Sequence, residues 1–220
     1  MCAVSSRSQC VGRAVSFARW AAIRRDMLCI PKANHKKLVD DCYPTSKALV
    51  NAAPEYRPNA NELGRLVYYA QCKPAKLSKV GRLLMTRASS ESRAFMAANT
   101  EKNKALVMIT LGVLRDLVSS CQEGHAYLAP AVRSMLTDAV NVAAPTGSAM
   151  TSWDMDICAR ASSIFAMYVQ SIPAGEVDTD DAVSSAVFQG LSDLQRLGKG
   201  HASDQSRMIW IAGINGLIRS

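Results

Sequence analysis

Apolar residues recur along this chain at helical rather than strand spacing. In NELGRLVYYAQC, residues 61–72, Leu63, Leu66, Val67 and Ala70 stand at i, i+3, i+4 and i+7, one stripe of an α-helix. Pro74 opens the next segment, PAKLSKVGRLLMTRASSE (74–91), at a first turn where its missing N–H does no harm. Leu77, Val80 and Leu84 form the inner face of that segment. Upstream, NHKKLVDDCY predicts a short amphipathic helix with Leu38, Val39 and Cys42 inward, stopped by Pro44. The stretch between, TSKALVNAAPEYRPNA, carries Pro54 and Pro58 among polar residues. It predicts an extended connection on the surface, with Asn61 as N-cap of the helix that follows.

Further along, NKALVMITLGVLRDLVSSC (103–121) is apolar almost all round, the pattern of the most buried helix. YLAPAVRSMLTDAVNV follows a turn at Glu123-Gly124, and APTGSAM (144–150) reads as a loop. WDMDICARASSIFAMYVQSI resumes helix, with Asp154 and Asp156 in a first turn where the helix dipole favours carboxylates. After a break at IPAGEVDTD, DAVSSAVFQGLSDLQRLG forms another helix with Gly198 as its C-cap, and SDQSRMIWIAGINGLI starts one more. Helix pairs recur roughly every 40 to 45 residues, the spacing of HEAT and armadillo arrays, without a repeated residue motif. The predicted fold class is therefore all-α, an armadillo/HEAT-like α-solenoid of antiparallel helix pairs. INGLIRS supplies no polar capping helix, so the array is expected either to be truncated there or to pack on something else; residues 27–220 are read as the N-terminal part of a helical-repeat domain, truncated at its C-terminal end.

Composition supports this class: 49% hydrophobic residues can fill a core, while 6% aromatics suit helices stacked on helices better than a sandwich. Charge adds a direction. Residues 1–93 hold 17 Lys and Arg against 6 Asp and Glu, and residues 94–220 hold 9 against 12, so the net +8 is +11 at one end and −3 at the other. A local anionic partner is implied. Residues 1–26, a basic extension with five Arg and no acid before Asp26, stand outside the fold pattern. Three origins fit them: an extension upstream of a start at Met27, a mitochondrial transit peptide, or a flexible basic arm.

Candidate chemistry is sparse. The seven cysteines, at 2, 10, 29, 42, 72, 121 and 158, form no C-x-x-C and read as reduced, mostly buried thiols. His35, His125 and His201 lie far apart, and a zinc site on His35 and Cys42 lacks further ligands. LGKGHAS (197–203) has Asp193 and Gly200 where a phosphate loop needs Gly and Ser or Thr. Asp40-Asp41 point about 100° apart on a helix, so they read as a solvated edge. No catalytic set and no cofactor site emerges. The longest apolar run, ALVMITLGVL (105–114), is too short for a bilayer core that needs about 20 residues.

Cation placement is what remains. Lys76, Lys79 and Arg82 cover an arc of roughly 120° away from Leu77, Val80 and Leu84. Lys32, Lys36 and Lys37 lie on or just before the first helix, with Lys47, Arg57 and Lys73 in the connections. An ordinary solvated surface is the bland alternative. A functional basic face has two natural partners, anionic lipid and nucleic acid. Single-strand binders add stacking aromatics among the cations, and Tyr68 and Tyr69 here sit on a helix that packs inward, so lipid is favoured. A soluble helical adaptor for an acidic protein or RNA is the other reading.

NHKKLVDDCYP, a proline-containing spacer and ELGRLVYYAQCKPAKLSKVGRLLMTR together resemble the N-terminal signature of the EFR-three (Rolling blackout) family. EYRPNANEL and NKALVMITLGVLRDLVSSC resemble its fungal members, and the match is specific over 34–121 and looser to 220. The resemblance implies a non-enzymatic peripheral membrane scaffold of armadillo and HEAT-like repeats. It implies binding to acidic phospholipids (phosphatidylserine, phosphoinositides) at the cytoplasmic face of the plasma membrane. It also implies recruitment of the phosphatidylinositol 4-kinase type III alpha complex through a tetratricopeptide-repeat subunit, by regions beyond this chain. Carried over by position, the lipid-binding patch is Lys32, Lys36, Lys37, Lys47, Arg57, Lys73, Lys76 and Lys79, and Cys29 becomes an acylation site if the chain starts at Met27. No nucleic acid is expected as a partner. The extension before Met27 and about two extra residues in IPKANH depart from the family pattern.

Overall fold

The structure is a computed structural model that describes residues 34–45, 48–49, 53, 55–121, 124–143, 152–173 and 180–199, with isolated positions 208, 211, 212 and 215. Lys32, Lys47, Cys29, the extension 1–26, the loop 144–150 and most of the last expected helix lie outside the described residues. The chain divides into Met1–Asn34 and a compact unit His35–Ser220, whose architecture follows.

Seven helices and no strand are found among the described residues: α1 His35–Asp41, α2 Ala60–Cys72, α3 Pro74–Ala97, α4 Glu101–Ser120, α5 His125–Ala143, α6 Ser152–Ser171 and α7 Asp181–Lys199. Consecutive helices α3–α4 and α5–α6 pack as pairs. Across pairs, α3 packs on α5 and α5 on α7, while α2 packs on α4 and α4 on α6. The result is two layers, α2-α4-α6 and α3-α5-α7, with α1 laid against α2 and α3 at the start of the stack. This is the expected all-α solenoid, although equivalent helices start 41 to 56 residues apart and not every 40 to 45.

The expected stripes face inward. Leu63, Leu66, Val67 and Ala70 of α2 are buried, as are Leu77, Val80 and Leu84 of α3. α3 runs past the expected end at Glu91 to Ala97, because Ser92 and Phe95 continue its buried face. Gly81 lets α3 approach α5 closely: a Cβ there would stand 3.0 Å from the Tyr127 carbonyl oxygen. α4 is buried around most of its circumference. Its outer side is covered by the segment before α2, where a Cβ on Gly112 would come within 3.2 Å of the Pro58 ring.

That segment departs from expectation. Leu49 and Tyr56 are buried, so the connection does not lie wholly extended on the surface as expected. Tyr56 takes φ 41°, a left-handed conformation costly for a side-chain-bearing residue, and its hydroxyl donates to Glu101 Oε1 at 3.1 Å. Burial of the ring offsets the strain.

Two asparagines join helix ends. Asn59, not Asn61, is the N-cap of α2; its backbone N–H donates to the Cys42 carbonyl (2.8 Å) and its Nδ2 to that of Asp41 (3.0 Å), closing the end of α1. Asn103 donates to the Ala94 and Ala98 carbonyls at the end of α3, and its own N–H is taken by Thr100, the N-cap of α4. Three other boundaries differ from the sequence reading. α5 begins at His125 and carries Pro130 inside it. Asp154 alone occupies the first turn of α6. α7 continues through Gly198 to Lys199 instead of stopping at a glycine cap.

Candidate functional site

α3 supplies the densest set of cations. Lys76, Lys79, Arg82 and Arg93 are all exposed. At 100° per residue they fall with Thr86 in an arc of about 120° opposite Leu77 and Leu84, and no carboxylate lies in that arc. Packing of Leu77 and its stripe against the neighbouring helices therefore turns a row of positive charge to solvent. Lys73 precedes the row at the α2–α3 turn. Its backbone N–H closes α2 on the Tyr69 carbonyl (3.0 Å), and its Nζ stands 5.3 Å from the centre of the Tyr69 ring. Beside this turn opens a pocket of about 360 Å³ lined by Ala70, Gln71, Pro74, Leu77, Ser120 and Cys121.

The other carried-over cations are placed differently. Lys36 and Lys37 are exposed on α1, whose Leu38 and Val39 face inward. α1 is held to α3 at Arg87, eight residues or about 12 Å along that helix from Lys79. Arg57 lies before the start of α2, and the 13 residues of that helix put it about 20 Å from Lys73 along the axis. It pairs with Glu55 at 2.6 Å. Lys73, Lys76 and Lys79 are thus grouped at the start of α3, and Arg57 stands apart from them.

Arg87 and Arg93 are not among the residues that the sequence pattern singles out. Arg93 extends the row because α3 is longer than that pattern predicts. Arg87 turns away from it toward α1: its Nη1 stands 2.9 Å from Asp40 Oδ1, a charge contact without hydrogen-bond alignment. Its guanidinium lies 4.1 Å from the centre of the Tyr43 ring, and its Nε is 3.5 Å from Glu91 Oε1. Glu91 also accepts from Thr110, whose Oγ1 meets the Tyr43 hydroxyl. Burial raises the Glu91 pKa from 4.5 to about 7, against the opposing effects of Thr110 and Arg87.

Cys42 is a packing residue at the end of α1. Its thiol donates to the Leu38 carbonyl at 3.2 Å, and burial, with help from Glu62 and Asp41, pushes its pKa up to about 12. Among the described residues no group of three or more His, Cys, Asp or Glu is arranged to hold a metal. No described helix is long and apolar enough to cross a membrane.

A model of the EFR3 protein family matches residues 34–139. Proteins named Protein EFR3 are similar over more of the chain. That of Mycosarcoma maydis is 46% identical over 171 residues, 77% of this chain and 16% of its own length. That of Cryptococcus neoformans var. neoformans is 30% identical over 190 residues, 81% of this chain and 18% of its own length. In Yarrowia lipolytica the identity is 29% over 141 residues, 64% of this chain. The chain thus spans less than a fifth of the length of these relatives. No solved structure matches it. The matched span covers α1 to most of α5, including the cationic row of α3, and the chain belongs to the EFR3 family, as a fungal-type N-terminal portion.

Proposed function

We propose that this chain is the membrane-facing part of a non-enzymatic scaffold, binding acidic phospholipids at the cytoplasmic face of the plasma membrane through the cations of α3. The acid-free exposed row of Lys76, Lys79, Arg82 and Arg93 carries the reading. Cations near an anionic leaflet each gain on the order of 1 kcal/mol, so four contribute about 4 kcal/mol, roughly a thousandfold in binding. Lys73 adds to the row at its start, and Lys36 and Lys37 are further exposed cations on α1, apart from the row. Aromatic placement favours lipid over single-stranded nucleic acid: Tyr56 and Tyr69 are buried and Tyr43 lies under Arg87, which leaves Tyr127 of α5 as the exposed tyrosine among the described residues. Family membership supports a scaffold role, and we assign recruitment of a phosphatidylinositol 4-kinase complex, through a tetratricopeptide-repeat subunit, to regions beyond this chain.

Sedimentation with vesicles tests the lipid reading. Phosphatidylcholine vesicles containing phosphatidylserine should bring the chain down, neutral phosphatidylcholine vesicles should not, and changing Lys76, Lys79 and Arg82 together to Glu should abolish binding. Equal binding to both vesicle types, or an unaffected triple variant, would overturn it. A shift of RNA at physiological salt without vesicle binding would favour the adaptor reading instead.

A further inference from the structure

A second cationic feature lies on the other layer, between α4 and α6. These helices run parallel, with Lys104 beside Asp156 and the Met108 carbonyl beside Arg160. Their outer faces bound a groove of about 390 Å³ lined by Met108, Arg115, Asp156, Arg160, Ser163 and Ile164. Charge around it is nearly all accounted for by pairs. Lys104 Nζ meets Asp156 Oδ2 at 2.6 Å, and Arg57 meets Glu55 at 2.6 Å. The two guanidiniums of the lining are the exception: no carboxylate of the described residues forms an ion pair with Arg115 or Arg160. Arg160 is held in place by neutral groups, its Nη1 donating to the carbonyls of Glu55 (3.3 Å) and Met108 (3.4 Å). Burial, and then the Arg115 charge, pull its pKa below the ordinary arginine value, against the opposing charges of Asp156 and Glu55. Asp116, next to Arg115, is outside the lining; burial raises its pKa, and the Arg115 charge opposes that rise.

We propose that this groove binds a phosphate monoester, with Arg115 and Arg160 holding the dianion. A phosphate monoester carries close to two negative charges at neutral pH, matching the two unpaired guanidiniums, and guanidinium forks suit its oxygens. Carbonyl bonds fix Arg160 in advance, so little ordering is left for binding to require. Ser163 offers a hydroxyl donor in the same lining, and Met108 and Ile164 offer apolar contact to the organic part of the ligand. The volume lies at the small end of ordinary ligand sites, which run from about 300 to 1,000 Å³. A soluble sugar or glycerol phosphate and a lipid whose headgroup is a bare phosphate share this chemistry.

The test uses sn-glycerol 3-phosphate in calorimetric titration, and vesicles of phosphatidylcholine with or without phosphatidic acid in sedimentation. The vesicle arm is run in the Lys76, Lys79 and Arg82 to Glu background, so that the α3 row does not contribute. Soluble monoester binding identifies a free ligand, and binding to phosphatidic acid vesicles alone identifies a headgroup. In either arm Arg115→Gln, an exposed change, should weaken binding about tenfold to a hundredfold with the thermal melt unchanged. Arg160→Lys should weaken it too by losing the fork. The α3 triple variant should leave glycerol phosphate binding intact, which separates this site from the lipid reading above. Arg115→Gln binding as tightly as the parent chain would overturn the proposal. So would failure of both probes, including the case in which only a phosphoserine peptide binds.

Discussion

Replacing Glu91 by Gln should stabilise the chain at neutral and higher pH and remove a pH dependence that the parent chain shows. The carboxyl sits where α1, α3 and α4 meet, between Arg87, Thr110 and Tyr43. Its pKa is raised from 4.5 to about 7, chiefly by burial. In the unfolded chain Glu91 gives up its proton near pH 4.5, while the folded chain keeps it to about pH 7. Within that window the folded state binds more protons, so stability falls as pH rises, by about 1.4 kcal/mol per pH unit. The contribution is fully present below about pH 4.5 and lost above about pH 7, a span of about 3 kcal/mol. The Thr110 and Arg87 contacts favour the ionised form and are already within that net value. Glutamine has the shape of the protonated acid and nearly its hydrogen-bonding capacity, so it holds the low-pH stability at every pH. Thr110 has one hydroxyl proton and lies within reach of both Glu91 and the Leu106 carbonyl. With the amide of the Glu91→Gln variant donating to the Thr110 hydroxyl, that proton goes to Leu106. Urea unfolding followed by circular dichroism, from about pH 5 to about pH 8, measures both chains, and their difference cancels every other titrating group. The variant should match the parent within about 1 kcal/mol at the acid end and exceed it by about 2 to 3 kcal/mol at the alkaline end. Parallel curves across the range would refute the reasoning.

Gly190→Ala should destabilise by about 2 kcal/mol in the same assay, because the new methyl would clash with Cε2 of the fully buried Phe165 ring. Thr100→Ala should cost about 1 kcal/mol, through loss of the cap that accepts from Asn103 N–H at 3.3 Å. Among the described thiols, Cys72 should react with a maleimide in the native chain, since it alone is exposed. Cys42, Cys121 and Cys158, with pKa values pushed by burial to about 12, 11 and 12, should label only on unfolding, as mass spectrometry of digested samples will read.

Periodicity made the fold legible where burial follows one stripe. Leu63, Leu66 and Val67, then Leu77, Val80 and Leu84, declared their faces because neighbours on both sides exclude water from that arc alone. It failed where long-range packing overrode local preference. Pro54 and Pro58 spoke for an extended connection on the surface, and nothing local shows that Tyr56 would accept a left-handed backbone to bury its ring. Asn59 and Asn61 are equally good caps by type. Only the approach of Cys42 to the Asn59 N–H chooses between them. The row on α3 was readable as far as Arg82, but Arg93 was missed because the helix was read only to Glu91, whereas Ser92 and Phe95 continue its buried face to Ala97. The groove on the other layer had no sequence signal, because Arg160 meets the Glu55 carbonyl across 105 positions.

The two cationic features differ in kind, and the difference follows from how each helix packs. α3 turns its outer row to solvent, so Lys76, Lys79, Arg82 and Arg93 are long, separately hydrated charges suited to a diffuse anionic surface. α4 is enclosed on nearly all sides, and α6 brings Arg160 against carbonyls that fix it half-buried beside Arg115. Charges held that way lose hydration before a ligand arrives and suit one compact anion. Salt should separate them. Screening over a Debye length of about 8 Å at physiological ionic strength weakens attraction to a surface more than a contact pair partly shielded from solvent. Vesicle binding by the α3 row should therefore fall more steeply with added salt than monoester binding in the groove. The two features lie on different layers of the stack, the row on α3 and the groove between α4 and α6.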